Sequence, residues 1–125
     1  MTQIILVGLG GMIGSICRFL LSDLVQRLSP ILGYPFGTFI VNVLGCFLIG
    51  LLNGVTDVRQ LFLSDIRPFL FIGVLGGFTT YSTFGYETFA FLRDGHYSQV
   101  FLIIGSHIFV GLGAVWLGDT LGRLA

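Results

Sequence analysis

A short run of glycine and hydroxyl residues interrupts an otherwise apolar segment of this chain. Residues Gly76 to Phe84 contain two glycines and four Thr or Ser residues, inside an apolar stretch from about Arg67 to Leu92. In the bilayer core every backbone N–H and C=O must be satisfied internally, so non-helical backbone is tolerated there only inside protein or beside a water-filled cavity. Freed carbonyls and side-chain hydroxyls are groups that can line an ion pathway. The run therefore predicts a broken helix that serves transport rather than anchoring.

Other polar and aromatic side chains in the apolar segments could also contact an ion. Asn42 lies centrally in the second segment, where its amide either donates to a passing anion or joins two helices by a hydrogen bond. Tyr81 and Phe84 are three residues apart and share a helical face. Their positive ring edges could stabilise a small anion, and ordinary aromatic packing is the alternative. Thr83 and Ser106 add hydroxyls in the third and last segments.

Charged and titratable residues inside the apolar segments are few. Glu87 lies one turn beyond Thr83 on the same helical face, and an acid inside a span is either functional or paired. Arg18 is its candidate partner, within one subunit or between two, or else a cation that attracts anions into a vestibule. His107 is titratable, but we expect it to be hydrogen-bonded in helix packing.

The composition is that of a membrane protein with little mass outside the bilayer. Of 125 residues, 54% are hydrophobic and only 10% charged, and the mean hydropathy is +0.97. Soluble domains carry about 25% charged residues. The formal net charge of zero excludes a basic nucleic-acid-binding face. We expect one domain over residues 1–125, without a cleavable signal peptide.

Four segments are long enough to cross a bilayer, which takes about 20 mostly apolar residues. They predict an all-α membrane protein of four transmembrane helices, with the third broken. The predicted spans run near Gln3 to Leu24, Gly37 to Gly54, Arg67 to Leu92 and Ser98 to Leu121. The predicted connectors are Gln26 to Phe36, Val55 to Ile66, and the turn Arg93 to His96.

The arginines leave the orientation in the membrane ambiguous. The side that holds both termini carries three of them and the other side two: Arg59, Arg67 and Arg123 against Arg27 and Arg93. Such a small positive-inside bias allows either one fixed orientation or insertion both ways, with the chain paired to its own inverted copy. The 19 glycines exceed what packing within one subunit requires, so we also expect a subunit interface.

Three stretches resemble the Fluc-type fluoride channel family (CrcB family). They run from Gly10 to Arg18, from Gly37 through Asn42 to Gly45, and from Gly73 to Phe84. Their order on a four-span chain of this length is specific, and the resemblance covers essentially the whole chain. It implies an antiparallel, dual-topology homodimer in the bacterial inner membrane. Such a dimer exports fluoride passively through two pores and so gives fluoride resistance.

The resemblance also implies roles for individual residues. In the family a structural sodium ion on the dimer two-fold axis is held by backbone carbonyls of the broken helix, here those of Gly76 and Thr79. Asn42 would be the pore amide, and Tyr81 and Phe84 would take the places of paired phenylalanines. Tyr81 is a departure, because its hydroxyl adds a donor at a position that is usually Phe. The polar track and exit would be lined by Thr83, Glu87 and Ser106.

Two other readings stay open at the level of sequence. A small dual-topology multidrug or cation exporter would need a deep acid, for which Glu87 is the sole candidate. The chain could also be a subunit of a heteromeric fluoride channel. The sequence has no recognisable catalytic triad and no Cys and His residues spaced as metal ligands. We therefore expect that the protein is not an enzyme.

Overall fold

The computed structural model describes residues 1–29, 34–59 and 66–125, and within these ranges the chain is helical and contains no strand. In chain order the elements are α1 (Thr2–Leu28), α2 (Phe36–Arg59), a π-helix (Pro68–Leu75), α3 (Gly76–Phe78), α4 (Tyr81–Arg93) and α5 (Tyr97–Leu124). Residues 30–33 and 60–65 of the two predicted long connectors lie outside the described residues.

Three of the described helices are long and apolar enough to cross a membrane. They are α1, α2 and α5, with 27, 24 and 28 residues and mean hydropathies of 2.1, 2.0 and 2.2. The third predicted span is not one helix, because the π-helix and α3 are separated from α4 at Thr79 and Thr80. The prediction of a break in this segment is therefore confirmed.

The helices extend beyond the predicted ends of the spans. α1 continues through Gln26 to Leu28, and α2 continues through Val55 to Arg59, so both predicted connectors begin too early. Charged pairs occupy these added turns, with Arg27 Nε 2.9 Å from Asp23 Oδ2. Hydropathy marks where the apolar core ends, whereas polar turns can prolong a helix into the interface.

The short turn between α4 and α5 was predicted at its observed position. Gly95 has a φ of +78°, the left-handed conformation that favours glycine at the end of a helix. The N–H groups of Gly95 and His96 donate to the carbonyls of Leu92 and Phe91 at 3.1 and 2.9 Å. These bonds close α4 and reverse the chain into α5.

Glycines bring α2 and α5 into backbone contact. A Cβ added at Gly50 would lie 2.9 Å from Asp119 N, and one at Gly118 would lie 2.8 Å from Leu51 N. Side chains there would force the helices apart, because backbone cannot move aside as a flexible side chain can. Small residues at such crossings let membrane helices approach closely.

Glycines also bring α1 into backbone contact with the broken third segment. A Cβ at Gly10 would lie 2.6 Å from Phe69 O, and one at Gly77 would lie 2.6 Å from Gly11 O. Gly14 meets the backbone of Val74 and Phe78 in the same way. The break is therefore held against α1 by backbone contact.

Much of the apolar surface of the protomer faces outward. Phe101, Phe109 and Trp116 on α5 are each at least 70% exposed, whereas Val41 and Ile103 are fully buried between helices. In a membrane, lipid or another subunit covers such side chains.

Candidate functional site

The break consists of two extended residues between helical turns. Thr79 has φ −81° and ψ 156°, and Thr80 has φ −146° and ψ 109°. Thr80 caps α4, since its Oγ1 accepts the N–H of Thr83 at 3.3 Å and donates to Thr83 Oγ1 at 2.9 Å. The hydroxyl of Thr79 instead donates back to the carbonyl of Leu75 at 3.0 Å. Local side chains thus satisfy part of the backbone that the break frees.

Asn42 satisfies the rest of the extended backbone at Thr80. Its Nδ2 donates to the carbonyl of Thr80 at 3.1 Å, and its Oδ1 accepts the N–H of Thr80 at 2.8 Å. The interhelical hydrogen bond expected of Asn42 is therefore present. A primary amide carries two N–H donors, and within the described residues the second finds no acceptor. The same side chain can hold the break and still donate to a ligand.

The carbonyls of Gly76 and Thr79 take no part in the hydrogen bonds between the break and its neighbours in the described part of the chain. The nearby carbonyls of Leu75, Gly77 and Thr80 accept from Thr79, Ser15 and Asn42, respectively. Gly76 is exposed and Thr79 is partly exposed. Two carbonyl oxygens at the break are thus uncommitted among the described residues.

An aromatic cavity of about 420 Å³ opens on one side of the break. Asn42, Thr79, Tyr81, Phe84 and His107 are among the residues that line it. The rings of Tyr81 and Phe84 lie 5.7 Å apart at 45°, as their spacing in the sequence predicted. Tyr81 is 84% exposed, so this cavity is open at the surface of a single protomer.

A polar cavity of about 480 Å³ lies on the other side of the break. Arg18, Thr38, Thr83 and Glu87 are among its lining residues. Thr38 Oγ1 donates to Glu87 Oε1 at 2.8 Å, while Glu87 Oε2 is buried without a partner in the described chain. No ion pair joins Arg18 to Glu87 in this protomer, although both face the same cavity. The predicted pairing within a subunit is therefore not observed.

Thr80 lines both cavities. Its backbone is held by Asn42 on the aromatic side, and its hydroxyl contacts Thr83 on the polar side. The break is thus the boundary between a chamber with charged walls and a chamber with aromatic walls.

Ser106 lies apart from both cavities. Its hydroxyl donates to the carbonyl of Ile103 at 3.1 Å, and its oxygen accepts the hydroxyl of Tyr34, which precedes α2. Burial raises the pKa of Tyr34, so its phenol keeps its proton and donates at neutral pH. The structure therefore brings Asn42, Tyr81, Phe84 and Thr83 together around the break but places Ser106 in a separate contact between α5 and the start of α2.

Two side chains of the site were not selected from the sequence. Thr38 precedes Asn42 by one helical turn, and this i, i+4 spacing was a signal that both lie on one face of α2. His107 was expected to serve helix packing, but its ring centroid lies 4.5 Å from that of Phe84. Only the crossing of α5 and α4 reveals that contact.

The sequence is similar to known membrane proteins over nearly its full length. The family described as "CrcB-like protein, Camphor Resistance (CrcB)" matches residues 5–119. The protein named fluoride-specific ion channel FluC from Methylobacillus flagellatus is 46% identical over 124 residues, covering 99% of this chain and 97% of its own. The protein of the same name from Nitratidesulfovibrio vulgaris strain Miyazaki F is 43% identical, covering 99% of both chains.

These matches agree with the resemblance found in the three stretches around Gly10, Asn42 and Gly76. The relatives carry the name of an ion channel, and the expectation that the chain is not an enzyme agrees with them. The family model matches residues 5–119, which include the break and the residues that line both cavities. The chain therefore belongs to the CrcB family of membrane proteins.

Proposed function

We propose that this protein is a fluoride channel of the bacterial inner membrane. Fluoride leaves the cell through it passively, down the electrochemical gradient, and the cell gains resistance to fluoride. Relatives at 43 to 46% identity are named fluoride-specific ion channels. The observation that carries the proposal is the pairing of Asn42 with the backbone of Thr80, between the two cavities.

The chemistry of fluoride favours such an arrangement. Fluoride is small and strongly hydrated, so its dehydration requires several close donors rather than one diffuse charge. The free N–H of Asn42 and the hydroxyl of Thr83 are neutral donors, and the ring edges of Tyr81 and Phe84 add partial positive charge. Spreading the interaction over several weak sites lets the ion leave as well as enter.

The charged and peripheral residues take different roles in this proposal. Arg18 attracts anions into the polar cavity, and Glu87 orients Thr38 and the polar track beside Thr83. Ser106 donates at the exit only if its hydrogen bond to the carbonyl of Ile103 opens, because that bond engages its single O–H.

The working unit in this proposal is an antiparallel homodimer of dual topology. A protomer leaves Tyr81 84% exposed, and a second, inverted copy over this surface would enclose the aromatic cavity. The near balance of arginines on the two sides supports insertion in both directions. Two pores would follow from the two-fold symmetry.

A structural sodium ion fits the oxygen ligands at the break. The carbonyls of Gly76 and Thr79 are uncommitted among the described residues, and two subunits would supply both pairs. A hard cation prefers such oxygen ligands. When bound there, it would supply a fixed positive charge that offsets the cost of desolvating an anion nearby.

Fluoride efflux from liposomes that contain only this protein tests the proposal. We expect rapid fluoride release on addition of valinomycin, no comparable chloride release, and no dependence on a proton gradient. Asn42→Ala should slow the release at least tenfold while the protein still elutes as an assembled species. Proton-coupled uptake of organic cations instead would identify an exporter. Release only after a related chain is added would identify a heteromeric subunit.

Labelling of single cysteines tests the dual topology. The test variant lacks Cys17 and Cys46 and carries Ser98→Cys. Ser98 lies at the start of α5, near one membrane face. Dual topology predicts that an impermeant maleimide labels about half of the protein from each side. Labelling from one side only would contradict it.

A further inference from the structure

His107 stands in the middle of a continuous series of rings. Its centroid lies 4.5 Å from Phe84 at 44° and 5.3 Å from Phe39 at 75°. Phe84 then contacts Tyr81 at 5.7 Å, and Phe39 contacts Tyr34 at 5.7 Å. The series leads from Tyr34, two residues before α2, to the mouth of the aromatic cavity. His107 is the one ring in it that can become a cation by binding a proton.

The hydrogen bonds of His107 define which nitrogen is free. Nδ1 lies 2.8 Å from the carbonyl oxygen of Ile103. Because a carbonyl only accepts, Nδ1 carries the hydrogen in this contact. Nε2 is buried and has no partner within the described chain. In the neutral ring Nε2 is therefore an unpaired acceptor, which is costly in an apolar setting.

The geometry points to His107 as a proton-linked fluoride ligand in the aromatic cavity, an inference that rests on the proposed function. Nε2 takes a proton from solution, and the resulting N–H donates to a fluoride ion beside Phe84. No covalent bond forms or breaks apart from the transfer of this proton. The imidazolium and the fluoride together carry no net charge, so neither is desolvated alone.

The surroundings of His107 favour this pairing. The centroids of Phe84 and Phe39 lie within the roughly 6 Å at which an aromatic ring can attract a cation placed over its face. Among the described residues, α2 and α4 are the elements packed against α5. The titratable groups that they present to the aromatic cavity are Cys46 from α2 and Tyr81 from α4.

The remaining nearby titratable groups face elsewhere. Glu87 and Arg18 line the polar cavity, where Glu87 is bonded to Thr38. Tyr34 is bonded to Ser106, the residue before His107. In the described structure, no carboxylate therefore faces the aromatic cavity to neutralise a protonated His107 in place of fluoride.

Titration of the His107 ring by NMR tests the inference directly. The chain has two histidines, so His96→Gln leaves His107 as the single histidine in the NMR spectrum. Linkage requires that fluoride stabilise the protonated ring as much as the proton stabilises bound fluoride. We expect the midpoint in NaF to lie about one pH unit above that in NaCl, equivalent to about tenfold tighter fluoride binding by the protonated form. Identical midpoints in the two salts would overturn the inference.

Fluoride flux at two pH values separates this inference from the proposed function. With protein-free liposomes subtracted for permeation of HF, we expect wild-type flux to be at least about twofold faster at pH 6 than at pH 7.5. His107→Leu and His107→Gln should abolish this ratio, and His96→Gln should keep it. If wild type and His107→Leu conduct fluoride with the same ratio of flux at pH 6 to flux at pH 7.5, the role of His107 is overturned. The proposed channel function would then still stand. No conduction at any pH would reject the channel itself.

Discussion

Asn42 pairs with both backbone polar groups of Thr80, with N···O distances of 3.1 Å to its carbonyl and 2.8 Å from its N–H. The two residues are 38 positions apart, with Asn42 on α2 and Thr80 in the break before α4. This pairing substitutes for the helical hydrogen bonds that the extended residue cannot make. It therefore lets irregular backbone persist inside an apolar bundle.

Asn42→Asp tests the donor function of this amide. The carboxylate keeps an acceptor for the N–H of Thr80, but it loses the donor to the carbonyl of Thr80 and the free donor for an anion, and it repels the anion. We expect fluoride efflux to fall at least about tenfold, since losing a buried hydrogen-bond partner costs about 1–3 kcal/mol. The electrode assay in liposomes measures this. Asn53→Asp, in the same helix but bonded to Asp119, is the matched control. Equal losses in the two variants would argue against a pore role for Asn42.

Phe84→Ile tests the aromatic wall. The substitution keeps an apolar side chain but removes the ring edge and the contacts with Tyr81 and His107. We expect fluoride efflux at least tenfold slower than wild type. Phe101→Ile, at a side chain 77% exposed on α5, should leave efflux within about twofold. Unchanged efflux in Phe84→Ile would remove this ring from the pathway.

Tyr81→Phe tests the hydroxyl of Tyr81, which the resemblance to the family marks as a departure. The ring and its 45° contact with Phe84 are kept, and only the exposed donor is lost. We expect efflux within about threefold of wild type and a much larger loss in Tyr81→Ile, because the ring edge provides the interaction. A Tyr81→Phe variant as slow as Tyr81→Ile would assign the role to the hydroxyl.

Thr38→Val tests the hydrogen bond that Glu87 receives. Valine is nearly isosteric but cannot donate, so Oε1 of Glu87 would lose its described partner and neither carboxylate oxygen would have one among the described residues. We expect a loss of about 1–3 kcal/mol in stability, seen as a lower thermal midpoint, together with slower efflux. Thr38→Ser keeps the donor and should restore both properties. A Thr38→Val protein that matches wild type in both measurements would make this bond incidental.

Gly118→Ala tests the contact of α2 with α5. The added Cβ would meet the backbone N of Leu51 at 2.8 Å, so the helices must separate. We expect a loss of at least about 1–3 kcal/mol in stability, as overpacked cores show. Gly113→Ala lies on the same helix, where a Cβ meets nothing within 4 Å, and should be neutral or slightly stabilising. Equal midpoints of thermal unfolding in the two variants would contradict the backbone contact of α2 with α5 at Gly118.

Local features of the structure follow from the amino-acid sequence alone. The three long helices follow from hydropathy, the break from the glycine and hydroxyl run around Thr79, and the tight turn from Gly95. Tyr81 and Phe84 lie on the same helical face because they are three residues apart. Each of these features is indicated by residues within a few turns of one another along the chain.

The partners of the polar side chains were decided only by the tertiary structure. Asn42 meets Thr80, Thr38 meets Glu87, and His107 meets Phe84, whereas Ser106 bonds with Tyr34 away from both cavities. These contacts join residues far apart in the chain. They depend on how glycine-lined helices cross, and a shift of one helical turn at a crossing would exchange every partner. Spacing along one helix cannot specify that register.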